Sequence, residues 1–105
     1  MALIIPAYKL ILTYNIREER QTAYSQFVIG RFVPGIQELG LHIVAVYQTM
    51  YGDYPDRQTE FVAESWEIMR DALENEKFEA LERALQDYVM HYSRKVVQYR
   101  TGFQF

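Results

Sequence analysis

The first regular pattern in the chain is the alternation of apolar and polar residues in YKLILTYN, from Tyr8 to Asn15. Successive side chains of a strand point to opposite faces, so Leu10, Leu12 and Tyr14 would share one face. Tyr, Ile and Thr also favour strands. The segment is therefore predicted to be a β-strand with one face in the core.

A helical pattern follows. Asn15 and Glu18 have the spacing of a capping box, which satisfies free amides at the start of a helix. Pro34 and Gly35 predict a break or kink, and Gly40 is placed to end the helix with a left-handed cap. Apolar residues recur at three- and four-residue spacing as Tyr24, Phe27, Val28, Phe32, Ile36 and Leu39.

Two further strand patterns run from Leu41 to Tyr51 and from Gln58 to Trp66. The residues between them, GDYPDR, are rich in turn formers and predict a hairpin. Tyr51 and Tyr54 are then either the lip of a pocket or a contact with a partner subunit. The partner contact is favoured because aromatic residues are enriched at interfaces.

Helical spacing returns from Glu67 to Tyr92, with a break predicted at Glu74 to Glu76, and Arg94 to Phe105 predicts a last strand. The order strand, helix, strand, strand, helix, strand is that of the split βαβ unit. It predicts an α+β, ferredoxin-like fold, in which both helices cover one face of a four-stranded antiparallel sheet.

Composition narrows the class of protein. The 105 residues fit one domain, and 50% apolar residues suffice for a core. A net charge of −3 excludes a nucleic-acid partner, and the chain has no cysteine for disulfides or thiolate chemistry. With no apolar run of about 18 residues and no basic leader segment, no membrane association is expected and a cytoplasmic location is predicted.

Assigning side chains to faces by period two leaves a mixed surface opposite the helices. The predicted helix-covered face consists of Leu10, Leu12, Tyr14, Leu41, Ile43, Ala45, Tyr47, Phe61, Ala63, Val97, Tyr99 and Phe103. The predicted open face consists of Ile11, Thr13, His42, Val44, Val46, Gln48, Glu60, Val62, Glu64, Val96, Gln98 and Arg100. Its five β-branched aliphatic residues would each forgo about 1.5–3 kcal/mol of burial in water. Such a patch predicts an interface, and a second copy packed face to face would close a small barrel.

The span from GDYPDR through EFVAESWEIMRDALENEKFEALERAL resembles the dimeric α+β barrel superfamily, and most closely its NIPSNAP-type domains. The resemblance covers nearly the whole chain and implies a single domain over residues 1–105 that forms a homodimer. The superfamily includes cofactor-free oxygenases, haem-degrading monooxygenases and members of unknown activity, so the resemblance does not decide the function.

Six residues are predicted to contact a small ligand: His42, Gln48, Glu64, Trp66, Gln98 and Arg100. Glu64 and Arg100 would form either a polar floor for a ligand or a buried ion pair that sets the partner's register. The two glutamines would bind a ligand or form structural bonds across the dimer. His42 would act as a general base or lie at a wet rim, and Trp66 would anchor apolar packing.

No metal or cofactor is expected. The two histidines are far apart, and no metal-binding motif occurs. Haem-degrading relatives combine an asparagine, a tryptophan and a nearby histidine, for which this chain offers Asn15 and Trp66. It has no histidine after Trp66 until His91, which is predicted to cap a helix C-terminus.

Two functions remain open. The first is a small-ligand-binding or structural module that acts as a homodimer. The second is a cofactor-independent oxygenase or isomerase acting on a small aromatic or lipid-like substrate. In that case Arg100 would hold an anionic group, and His42 or Glu64 would take a proton. The first is favoured because the chain shows no catalytic constellation.

Overall fold

The computed structural model describes residues 5–49 and 57–98. Its strands are β1 (Tyr8–Ile16), β2 (His42–Gln48), β3 (Arg57–Ala63) and β4 (Val89–Gln98). A 3-10 turn (Glu18–Arg20) leads into α1 (Gln21–Phe27), a π-helix (Val28–Phe32) and α2 (Val33–Glu38). The second helical stretch is α3 (Trp66–Glu74) and α4 (Glu76–Leu85). The turn GDYPDR, with Tyr51 and Tyr54, lies outside the described residues except for Arg57.

The four strands form one antiparallel sheet in the order β2-β3-β1-β4. This order, with helices in both crossovers, is the ferredoxin-like α+β arrangement predicted from the sequence. In the central pair, Leu10 lies opposite Phe61 and Leu12 opposite Thr59. The central strand β1 therefore alternates as predicted, with Leu10, Leu12 and Tyr14 buried.

The register of β2 shifts by one residue at Val44. Ile43 pairs with Phe61 on the helix side, but Ala45 pairs with Glu60, so one residue of β2 is extra. A bulge of this kind reverses the face of every later residue in the strand. Ala45 and Tyr47 consequently lie on the open face, and Val46 and Gln48 lie on the helix side, which is the reverse of the prediction for all four.

The last strand contains a second bulge. Thr13 pairs with Ser93 and Asn15 pairs with Met90, so β4 has one extra residue opposite Tyr14, where His91 adopts φ 58°. Beyond the bulge, Val97 lies on the open face, whereas Val96 and Gln98 lie on the helix side. The predicted faces of these three residues are therefore wrong, because adjacent valines fit either register equally well. Tyr99, Arg100 and Phe103 lie outside the described residues.

The helix layer covers one face of the sheet and encloses the core. Phe32, Ile36, Met69, Phe78 and Leu85 are almost fully buried against the sheet residues of β1 and β3. The stripe predicted from Tyr24 to Leu39 is therefore confirmed. No helix among the described residues is long and apolar enough to span a membrane.

Two predicted helix ends are corrected. Asn15 does not cap a helix, since β1 continues to Ile16. The side-chain nitrogen of Asn15 lies 3.2 Å from Nδ1 of His91. The second helical stretch ends at Leu85, not Tyr92, so His91 belongs to β4 and caps no helix. The break at Glu74 to Glu76 is confirmed, because Asn75 ends α3 and its side chain accepts from the Lys77 amide in the first turn of α4.

Pro34 widens the first helical stretch without ending it. Proline has no amide hydrogen, so the usual bond from position 34 to the Gly30 carbonyl cannot form. The chain responds with a π-helix, in which the Val33 amide donates to Val28 O. Gly40 then ends the stretch at φ +98°, as its sequence position predicts.

Candidate functional site

A cleft of about 320 Å³ opens on the helix side, between the helices and the edge strand β2. Its walls are mainly apolar, and its lining residues are Tyr24, Ser25, Val28, Ile29, Val33, Ile43, Val46, Arg57 and Thr59. This volume is at the lower end of the range of small-molecule sites.

A second hollow of about 230 Å³ adjoins the first and shares Tyr24, Ser25 and Arg57 with it. Its remaining lining residues are Ile16, Gln21, Gln48 and Thr49, most of them polar. Because they share three lining residues, the two neighbouring hollows are called here the helix-side cleft, with the first as its apolar end and the second as its polar end. The three shared residues stand where the two ends meet.

The unusual backbone of the helix builds one wall of this cleft. Val28 and Ile29 belong to the π-helix, whose wider turn changes the direction of side chains relative to an α-helix. Ile29 is 75% exposed at the rim. Since π-turns are frequent at functional sites, this wall is a second feature, besides the cavity, that points to the cleft.

The floor is a chain of three hydroxyl groups. The hydroxyl oxygens of Tyr14 and Tyr24 lie 2.6 Å apart, and Tyr14 lies 3.1 Å from Thr59 Oγ1. All three residues are buried. Burial is the main cause that raises the pKa of Tyr24 well above its usual value, and the neighbouring Tyr14 is a smaller one. The Tyr24 hydroxyl therefore stays protonated. The floor is therefore neutral and rigid.

Arg57 supplies a positive charge at the junction. Its guanidinium carbon lies 5.7 Å from the centre of the Tyr24 ring, within cation–π range. Its Nε atom is buried and has no hydrogen-bond partner. A buried donor left in this state costs about 1–3 kcal/mol. None of the described residues that line the helix-side cleft is acidic.

The opposite, helix-free face carries a polar network at its centre. Lys9 Nζ lies 2.9 Å from Glu60 Oε1, and the Gln58 amide donates to Glu60 Oε2 at 2.7 Å. Glu60 is only 6% exposed, although no described helix packs on this face. Beside it is a hollow of about 210 Å³ lined by Ile11, Thr13, Gln58, Ser93 and Lys95.

The structure separates the residues that the sequence grouped as a ligand site. His42 lies opposite Val62 at the start of β2, on the open face as predicted. Gln48 lines the polar end of the helix-side cleft instead of the open face. Gln98 lies at the far end of β4, opposite Tyr8 on the helix side.

The predicted pairing of Glu64 with Arg100 stays a prediction, but Glu64 does not lie on strand β3 as expected. β3 ends at Ala63, and Glu64 is exposed in the bend before α3. Arg100 lies outside the described residues. Trp66 begins α3 and does not end a strand; its ring lies 5.4 Å from that of Tyr8 and is 44% exposed. The ligand-binding role of the six residues stays a prediction; of the five that the structure describes, only Gln48 lines one of the three hollows described above.

Metal and haem chemistry receive no geometric support from the described part of the chain. No group of three or more His, Asp or Glu residues there could hold a metal ion. Of the residues considered for haem, Asn15 lies against His91 on the sheet, whereas Trp66 lies against Tyr8 at the start of α3.

Sequence reasoning missed Arg57, Tyr24 and Thr59 as site residues. Arg57 was assigned to a turn and Tyr24 to the core stripe. A signal was present in β3, where Thr59 occupies the same face as Phe61 and Ala63. A polar residue at a core-facing position needs a hydrogen-bond partner, which indicates a polar cluster nearby.

Comparison with known proteins identifies the fold but no family. No protein-family model and no curated protein matches the sequence. Similar solved structures include an ethyl tert-butyl ether d (EthD) family protein of Bacillus halodurans, with 15% sequence identity, a TM-score of 0.71 and coverage of 90% of this chain and 99% of that one. A NIPSNAP domain protein of Burkholderia xenovorans has 9% identity, a TM-score of 0.67 and coverage of 92% and 97%.

A third similar structure is a dimeric protein of unknown function and ferredoxin-like fold from Bacteroides fragilis, with 12% identity, a TM-score of 0.58 and coverage of 92% and 100%. At these identities the likeness establishes the fold and not the activity. The chain has the ferredoxin-like fold that NIPSNAP proteins share, which confirms the resemblance drawn from its sequence at the level of fold.

Proposed function

We propose that the chain is a homodimeric module, one domain over residues 1–105, that binds a small molecule and performs no chemistry of its own. Two copies pair through the helix-free face of the sheet. Each copy keeps its helix-side cleft on the opposite face, where a ligand enters without disturbing the dimer.

The proposed dimer rests on one observation, the exposed apolar residues of the helix-free face. Tyr47 is 56% exposed and Val97 is 37% exposed on a sheet face that no described helix covers. Between them lies the nearly buried Glu60 with Lys9. Exposed apolar side chains around a buried, satisfied polar network are typical of interfaces, and the dimeric Bacteroides fragilis protein of the same fold supports a second copy as the occupant.

The helix-side cleft supports the binding half of the proposal. It combines a mostly apolar wall with a few convergent polar groups, which is the usual composition of a ligand site. The enzymatic alternative has less support, because its proton acceptors His42 and Glu64 lie at the edge strand and in an exposed bend. A cytoplasmic location stays a prediction.

Analytical ultracentrifugation tests the dimer. For the wild-type protein, the mass obtained from sedimentation should be twice the chain mass of 12.5 kDa. Tyr47→Asp places a charge on the interface of both copies. If each copy loses about 2 kcal/mol, the dissociation constant rises about a thousandfold.

Ile29→Asp is the matched control, since Ile29 is apolar and 75% exposed but lies on the helix side. It should leave the dimer intact. A wild-type monomer at 100 micromolar, roughly a hundred thousand times a nanomolar dissociation constant, would refute the pairing. So would a Tyr47→Asp protein that, over a dilution series, dissociates at the same concentration as the Ile29→Asp protein.

A further inference from the structure

We propose that the helix-side cleft binds an amphipathic carboxylate, such as a medium-chain fatty acid or an arylalkanoic acid, with the Arg57 guanidinium on the carboxylate and the tail along the apolar wall. The inference rests on the proposed binding function and names its ligand class. Three features of the cleft lead to it: its polarity gradient, a cation with no acidic neighbour among the described lining residues, and its neutral floor.

The gradient sets the shape of the ligand. One end of the cleft is walled by Val28, Ile29, Val33, Ile43 and Val46, whereas the other is walled by Gln21, Gln48, Thr49 and Arg57. A ligand that fills both hollows must be apolar at one end and polar at the other. A purely polar metabolite would leave the apolar wall in water, and a hydrocarbon would leave the polar end without hydrogen bonds.

The cation sets the charge of the polar end. Arginine carries a positive charge on a planar guanidinium, and the side chain of Arg57 has five N–H donors in this fork. Its buried Nε has no hydrogen-bond partner, and no acidic residue is found among the described residues lining either hollow. A planar carboxylate with two oxygens matches this fork.

The residues around Arg57 fix the position of its guanidinium and do not neutralise its charge. Tyr24 lies under the guanidinium and is itself hydrogen-bonded to Tyr14, so the ring has a fixed position. Tyr24 remains neutral because burial raises its pKa, so it does not replace the missing negative charge. The Arg57 charge therefore remains available to an incoming anion.

Arg20 provides an internal comparison. Its Nε is also buried without a partner, and its guanidinium lies 4.6 Å above the Tyr88 ring. Arg20 lines neither hollow of the helix-side cleft. An arginine that only packs on an aromatic ring is therefore present in the same protein and can be changed in parallel.

The test is a titration of the protein with octanoate and, separately, with octan-1-ol. Binding is monitored through the chemical shifts of methyl and amide groups in NMR spectra. These two probes share the chain and differ in charge. Octanoate should shift the signals of Ile29, Ile43 and Val46 with a measurable dissociation constant. Octan-1-ol should bind at the same place about tenfold to a hundredfold more weakly, the difference expected for hydrogen bonds to a charged group.

Arg57→Gln should lower octanoate affinity by about the same factor and leave octan-1-ol binding unchanged, whereas Arg20→Gln should change neither. Arg57→Lys serves if the glutamine variant does not fold; it keeps the charge but loses the fork, so affinity should fall less than in Arg57→Gln. Urea unfolding of each variant verifies that a loss of binding is not a loss of structure.

Three results would overturn the proposal. Equal affinity for octanoate and octan-1-ol would refute the proposed recognition of a carboxylate. The cleft would still bind a small molecule, so the proposed function would stand. If neither probe shifts the cleft signals, both the ligand class and the binding half of the proposed function fail. The dimer is judged separately by sedimentation, so the two failures are distinguishable. Equal octanoate affinities for Arg57→Gln and Arg20→Gln would also refute the role of Arg57.

Discussion

Removal of the Tyr14 hydroxyl tests whether the floor of the helix-side cleft is sealed from water. That hydroxyl is the middle member of the chain, 2.6 Å from the Tyr24 oxygen and 3.1 Å from Thr59 Oγ1. Tyr14→Phe removes both contacts and no carbon atoms. It leaves the Thr59 hydroxyl, in a residue only 2% exposed, without its partner.

The expected cost follows from these contacts. Two lost hydrogen bonds at about 0.5–1.5 kcal/mol each give about 1–3 kcal/mol, and the stranded Thr59 hydroxyl places the value in the upper half of that range. Thr59→Val should cost about 1 kcal/mol, because Tyr14 keeps its bond to Tyr24. In the double variant Thr59 is no longer stranded, so the total should fall short of the sum by about 1 kcal/mol.

Urea unfolding at one fixed protein concentration measures these free energies, because the proposed dimer would make the midpoint depend on concentration. A Tyr14→Phe cost below about 0.5 kcal/mol would show that water reaches the floor and replaces the lost bonds. Additivity within about 0.3–0.5 kcal/mol would show that Tyr14 and Thr59 are not coupled. Either result would refute the sealed hydroxyl chain.

Further predictions concern packing, backbone and pH. Gly35→Ala places a Cβ 2.6 Å from Leu81 Cδ1. The crowding, about 1–3 kcal/mol, should outweigh the helix-propensity gain of about 1 kcal/mol, so urea unfolding should show that Gly35→Ala lowers stability in the wild-type chain but not when it is added to Leu81→Ala, which lacks the crowding atom. Gly40→Ala should cost about 1–2 kcal/mol because Gly40 has φ +98°, and an unchanged urea midpoint would contradict this. Burial raises the pKa values of Tyr24 and Tyr92, so the unfolded state should lose these protons first above about pH 10. The unfolding free energy should then fall with pH by up to about 1.4 kcal/mol per unit for each tyrosine, and Tyr92→Phe should reduce that slope.

The elements with a clean local pattern were predictable from the sequence. β1 alternates strictly, and its apolar side is buried at Leu10, Leu12 and Tyr14 as expected. The break between α3 and α4 is likewise local, because Asn75 caps the second helix through its own side chain. Such features depend on neighbours in the chain, so the order of elements and the ferredoxin-like fold follow from them.

The faces of β2 and β4 were not predictable in the same way. HIVAVYQ and KVVQ contain adjacent apolar residues, so either register buries a valine. The bulges at Val44 and near His91 select one of them, and both depend on pairing with a strand distant in sequence. Tyr47 and Val97 reached the open face by this route, which is why the face assigned to each was wrong.

The candidate site likewise depends partly on local sequence and partly on packing between distant segments. The strand-helix order determines that a sheet is covered on one side only, and the sequence therefore already indicated an unsatisfied face and a partner. The cleft, however, exists because Pro34 widens a helix beside β2 while Arg57, at the start of β3, packs over the Tyr24 ring. A residue's period along its own strand or helix is a local property, whereas the groups that meet in a cavity are set by packing between segments. For that reason only the tertiary structure brought Arg57, Tyr24 and Thr59 together.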